Sequence, residues 1–180
     1  MVKILVYLQL LSICVSFSAI FISNWLGRKD EDRKFKRSQK LKRYNDFYIP
    51  FIKFFYENRP SAYLFFFMVV NGSYKNLYNL IVKNLEYLDP KSTEEFYRLS
   101  TDSVDQLQAP ANELIEKLNN KDLEGTEIKF NDEQQKSYNR FNDFVLSVLK
   151  ESECLAEELG LEPIGKSLYD IYSKSIRRPQ

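Results

Sequence analysis

Hydrophobic and polar positions divide the chain into three zones. The first is Ile4 to Leu26, an uncharged run of 23 residues bounded by Lys3 and Arg28. As a helix rising about 1.5 Å per residue it would reach roughly 35 Å, enough for a hydrocarbon core of about 30 Å. Tyr7 and Trp25 stand near its ends, where amphipathic rings favour the headgroup level. The run is expected to be a transmembrane anchor occupying residues 1–27. Two other readings stay open. Ser16-Phe17-Ser18 resembles a signal-peptidase site, and Cys14 could serve a lipoprotein signal. Against the first, the apolar run continues past Ser18. Against the second, Ile13 is not the small residue a lipobox wants.

Within this run Gln9, Ser12, Ser16, Ala19 and Ser23 recur at steps of 3 and 4 and share one helical face. Small and polar residues on one face let membrane helices approach closely, so the stripe is a candidate homodimer face. The alternative is serine hydroxyls bonding back to their own helix.

The second zone, residues 28–43, is a basic stalk. Arg28, Lys29, Arg33, Lys34, Lys36, Arg37, Lys40, Lys42 and Arg43 outnumber Asp30, Glu31 and Asp32. Asp30 with Lys34 and Asp32 with Lys36 are acid-first i,i+4 pairs, so the stalk is expected to be helical at least in part. The positive-inside rule places the C-terminal side of the anchor in the cytoplasm, as a single-pass protein of the cell membrane. The nine cations are candidate contacts for anionic lipid headgroups, at about 1 kcal/mol per well-placed charge. Their other reading is a topology signal alone.

The third zone, residues 44–180, carries helical periodicity throughout. Leu41, Tyr44, Phe47, Tyr48, Phe51, Phe55 and Asn58 keep 3/4 spacing, with Pro50 predicting a kink or restart. Phe47, Tyr48, Phe51, Phe54 and Phe55 are either a juxtamembrane aromatic interface or part of the core. Asn58-Arg59-Pro60-Ser61 is a breaker, and the apolar run 62–70 is too short to span a bilayer. Asn71-Gly72-Ser73 predicts a turn with Ser73 as N-cap. Tyr74, Leu77, Tyr78, Ile81, Val82, Leu85 and Leu88 predict an unbroken amphipathic helix closed by Asp89-Pro90. Ser92 and Glu95 have capping-box spacing ahead of Phe96, Tyr97, Ser100, Val104 and Leu107. A short helix around Leu114, Ile115 and Leu118 and a polar loop over 119–129 come next. Asn131 is expected to cap the longest helix. Tyr138, Phe141, Val145, Val148, Ser152, Leu155 and Leu159 line that helix as a seam, either of a coiled coil or of its own bundle. Gly160-Leu161 predicts a Schellman stop. Ile164, Leu168, Ile171 and Tyr172 predict a last helix, and Cys154 is expected to be a small buried apolar residue. The fold class is all-α: a single N-terminal transmembrane helix followed by a soluble bundle of about five to six helices.

Charge and composition narrow the function. The body holds 16 Lys/Arg against 22 Asp/Glu, an acidic surface that disfavours nucleic acid as a partner. The chain has no histidine, which removes the commonest general base and zinc ligand. Its five glycines are scattered and form no phosphate-binding loop, and its two cysteines, Cys14 and Cys154, lie in different zones. No catalytic residue, metal ligand or cofactor site is expected. Abundant Phe, Tyr, Asn, Lys and Ile suggest a low-GC bacterial or phage source. The layout, although no individual residue carries it, is similar to that of small prophage-encoded membrane proteins, including those that exclude a second phage. The expected function is that of a membrane-anchored, non-enzymatic interaction or regulatory protein. Its partners would be a bilayer with anionic headgroups and a protein of unknown identity. The rival readings are a lipid-surface sensor, a secreted or lipoprotein helical domain if the N-terminal segment is cleaved, and an enzyme using Cys154 or carboxylates among Glu94, Glu95, Glu157 and Glu158.

Overall fold

The computed structural model describes residues 2–58, 64–101, 112, 116 and 131–176, with the backbone alone for residues 2–15 and 20. Every element among them is helical, and there is no strand among the described residues. Residues 1–41 form one compact unit and residues 42–180 another.

Helix α1 runs unbroken over Val2–Arg43. The stalk is therefore fully helical, and the Asp30–Lys34 pair forms at 2.7 Å. Among the described residues no helix is long and apolar enough to cross a membrane. Side chains 4–15 and 20 of the predicted anchor, Gln9 and Ser12 of the stripe included, lie outside the described residues.

After α1, Tyr44–Tyr48 is a π-helical turn, and α2 continues over Ile49–Glu57 with Pro50 in its first turn. A kink or restart is expected at Pro50, and the wide turn is how the chain makes one. Proline offers no N–H to the preceding turn and its ring crowds the carbonyl four residues back. Inserting one extra residue per turn absorbs both defects and keeps the backbone bonded, Ile49 N–H reaching the Tyr44 carbonyl.

Helices α3 (Leu64–Val70) and α4 (Ser73–Lys83) come next, then a 3-10 turn at Leu85–Tyr87. Helix α5 covers Pro90–Ser100, α6 Asp132–Leu159 and α7 Ile164–Ile176. Long α6 is the centre, with α5, α7 and the π turn packed on it, while α2 also meets α4 and α7. The seam residues Phe141, Val145, Val148, Ser152, Leu155 and Leu159 are buried within this bundle, which supports the own-bundle reading.

Aromatic rings make the centre of the core. Phe55 lies 6.0 Å from Tyr172, 6.5 Å from Phe141 and 4.9 Å from Phe51, measured between ring centres. Phe65 stacks on Phe141 at 4.5 Å, and Phe96 lies 5.5 Å from Phe144. Such pairs add to the burial of their own area. The Tyr172 hydroxyl, deep in this core, is satisfied by donating to Asn142 Oδ1. The approach of α7 to α6 depends on Gly165: a Cβ there would collide with Ser152 Oγ and press on Ile52.

Four local expectations are corrected. Ser73 does not cap α4. Gly72, at φ 75°, holds the N-cap position, and Asn71 Oδ1 accepts from the Ser73 N–H at 2.9 Å. The helix beginning there stops at Lys83 rather than Leu88, because Asn84 Nδ2 donates back to the Leu80 carbonyl and the chain tightens into the 3-10 turn. Tyr78, Val82 and Leu85 are consequently exposed. The Ser92–Glu95 capping box does not form, since Pro90 starts α5 two residues earlier and leaves Ser92 inside it. Cys154 is exposed. The two ends of α6 agree with expectation. Asn131 and Gln134 form a capping box, and Gly160 closes the helix at φ 70° with Leu161 N–H bonded to the Ala156 carbonyl. Val104, Leu107, Leu114, Ile115, Leu118, loop 119–129 and the basic tail lie outside the described residues.

Candidate functional site

The sequence candidates separate into three fates. Among the described positions of the stripe, Ser16, Ala19 and Ser23 are exposed. Eight of the nine basic stalk residues are exposed as well, with Lys29 Nζ 5.1 Å above the Trp25 ring. The aromatic interface does not form: Phe47, Tyr48, Phe51 and Phe55 are fully buried and Phe54 partly. Their spacing matches the π turn and α2, whose inward face is the bundle core, so of the five only Phe54 keeps some exposure.

Arg43 is the ninth stalk cation, and it too departs from expectation. It belongs to the second unit, and instead of facing headgroups it is turned into that unit's own packing. Its Nη2 donates to Asp89 Oδ1 at 2.6 Å and lies 3.4 Å from Glu151 Oε2. The same nitrogen donates to Tyr48 OH, and Arg43 also lies over the Tyr48 ring, 5.3 Å from its centre. Tyr48 OH passes its own hydrogen to Glu151 Oε2 at 2.6 Å, and the Asp89 N–H reaches that oxygen at 3.2 Å. One carboxylate oxygen thus gathers Arg43, the π turn, the start of α5 and the middle of α6.

Burial and charge set the proton affinities here. Burial disfavours the charged Arg43 guanidinium, but Asp89 and Tyr48 outweigh that and hold it more firmly charged. Burial, followed by the Glu151 carboxylate, pushes the Tyr48 hydroxyl far above its ordinary range. Glu151 keeps a side chain only 9% exposed. Burial raises its proton affinity, against the pull of Ser92 and Tyr48 hydrogen bonding and with the push of Asp89.

Beside this cluster a cleft of about 500 Å³ opens between the start of α5, the middle of α6 and Tyr169 of α7. Its walls carry Asp89, Glu95, Asp143 and Glu151 against Lys91 and Lys150, with Ser147, Leu146 and Cys154 between them. Lys150 is drawn away to Glu153 at 2.6 Å, and Lys166 supports the same carboxylate at 3.2 Å. Of the carboxylates considered for chemistry, Glu95 lies in the cleft with Glu151, while Glu94 sits on the surface paired with Arg98 and Glu157 is exposed. The sequence candidates include Glu95 and Cys154 but not Glu151, Asp89 or the inward turn of Arg43. No local signal marks these, because the carboxylate partners of Arg43 are 46 and 108 residues away. The chain matches no family model, no curated protein and no solved structure.

Proposed function

We propose that this protein is a membrane-anchored, non-enzymatic interaction protein, with α1 as anchor and stalk and residues 44–180 as a cytoplasmic helical body. One observation carries the reading. Phe17, Phe21, Ile22, Trp25 and Leu26 are each more than half exposed on α1, and the same helix then becomes a run of exposed cations. Exposed apolar surface of this extent calls for a cover. Lipid is the cover whose chemistry changes in the same order along the helix, from acyl chains to an aromatic level at Trp25 to anionic headgroups beside Arg28 and Lys29. The body is proposed to bind a protein partner through its surface, where Tyr56, Val82, Leu85 and Tyr97 are exposed.

Orientation tests the reading. A reporter active only in the cytoplasm, fused after Gln180, is expected to be active in the parent. Replacing Arg33, Lys34, Lys36 and Arg37 by Glu should lower that activity severalfold by weakening the positive-inside signal. An inactive fusion in the parent, made in full length, would reject the cytoplasmic body.

A further inference from the structure

The cleft beside the ion cluster is laid out along one face of α6. Asp143, Ser147, Glu151 and Cys154 follow steps of 4, 4 and 3, so they share that face, and Glu95 of α5 and Tyr169 of α7 complete the walls. Two carboxylate oxygens in these walls, Glu95 Oε2 and Glu151 Oε1, are buried and accept no hydrogen bond among the described residues. Glu151 is the more deeply set, with 9% of its side chain exposed. Its other oxygen is engaged by the Tyr48 hydroxyl and the Asp89 N–H. A buried carboxylate oxygen without a donor is costly in a low-dielectric site.

The cations around the cleft do not supply that donor. Arg43 is spent on Asp89 and on the engaged Glu151 oxygen, and Lys150 on Glu153. Lys91 stands 3.8 Å from Glu95 Oε1, which is the other oxygen and is beyond hydrogen-bond reach. Asp143 is exposed and has no ion pair among the described residues. The walls therefore present more acceptors than donors.

We propose that the cleft receives a guanidinium group, the end of an arginine side chain offered by a protein partner. The source of the group rests on the reading that the body binds a protein, while its chemistry rests on the acceptors. A guanidinium brings five N–H donors in one plane and serves two carboxylates at once, whereas a lysine ammonium is a compact, strongly hydrated point charge. The methylene stem and flat face of arginine match Leu146 and the Tyr169 ring in the same walls. A metal ion fits less well, because among the described residues no three ligating side chains are grouped to hold one. Glu95 gives the donor its way in. Its side chain is 21% exposed and its contact with Lys91 is long, so the carboxyl is free to turn Oε2 toward an entering group. Glu151, fixed by Tyr48 and the Asp89 N–H, is the stationary acceptor.

Cys154 reports occupancy, because its exposed thiol lines the same cleft. The full chain in detergent micelles would be alkylated with iodoacetamide and followed by mass spectrometry at the peptide carrying Cys154, apart from that carrying Cys14. N-acetyl-arginine methylamide at about 10 mM should slow this alkylation severalfold, given the roughly millimolar affinity expected of a single side chain. The citrulline counterpart has nearly the same shape without the charge and should leave the rate unchanged. Absence of protection by the arginine probe, or equal protection by both probes, would overturn the site, and this comparison needs no variant to fold. In Glu95→Gln the protection should be largely lost, and undiminished protection would overturn the role of Glu95. Free arginine separates the sources: the blocked probe should protect at least as well, and stronger protection by the free amino acid would overturn a protein source. The probes need neither partner nor bilayer orientation, so failure here and failure of the cytoplasmic reporter are separate results.

Discussion

Phe55→Ala should cost the bundle about 3–5 kcal/mol, a large share of the roughly 5–15 kcal/mol that holds a domain together. The ring is fully buried and meets rings from four other positions, Phe51 and Phe54 on its own helix, Phe141 on α6 and Tyr172 on α7. Its removal leaves a void that rings cannot collapse into, because they are rigid and mutually braced. Urea unfolding followed by circular dichroism measures the loss. Phe35→Ala is the matched control, since Phe35 is 65% exposed, and it should change stability by no more than about 0.5 kcal/mol. Equal midpoints for parent and Phe55→Ala would mean that the aromatic residues after the stalk are a surface rather than a core.

Arg43→Met should destabilise by about 2–3 kcal/mol near neutral pH, the lower part of the range for breaking a buried ion pair because the arginine and Asp89 retain some solvent. The methionine keeps the length of the side chain and removes the charge. Glu151 then sits beside Asp89 without its cation, and its proton affinity rises further. The deficit relative to the parent should therefore be largest at high pH and shrink as pH falls and Glu151 takes up a proton. Denaturation midpoints for the two proteins across a pH series test this. A deficit that is constant with pH would show that the charge of Arg43 is not coupled to protonation of Glu151.

What is legible in the sequence and what is hidden divide by range. Helix α6 is legible at both ends because its signals are local: Asn131 with Gln134 at one end, Gly160 at φ 70° at the other. Its seam is legible because one face of one helix is buried along its length. The region 73–100 misleads where two local signals compete. Leu85 and Leu88 continue the rhythm of α4, yet Asn84 bonds back to Leu80 and ends it. Ser92 and Glu95 have the spacing of a cap, yet Pro90 fixes an earlier start, and Ser92 instead donates to Ser147 of α6. The ion cluster is not legible at all. Arg43 belongs by composition to the stalk, and only the fold brings it to Asp89 and Glu151. The same applies to the aromatic run, whose abundance is evident while its burial depends on α6 and α7 lying against it.

Retention in the membrane under alkaline extraction is the most direct test of the proposed anchor. Membranes from cells making the full chain would be washed at alkaline pH, which strips proteins held by charge and leaves those whose apolar helices lie in the bilayer core. The full chain should stay in the pellet, and a chain lacking residues 2–27 should move to the supernatant as a folded helical body. Release of the full chain into the supernatant would contradict the anchor and leave α1 as a helix whose exposed apolar side chains are covered by something other than a spanned bilayer.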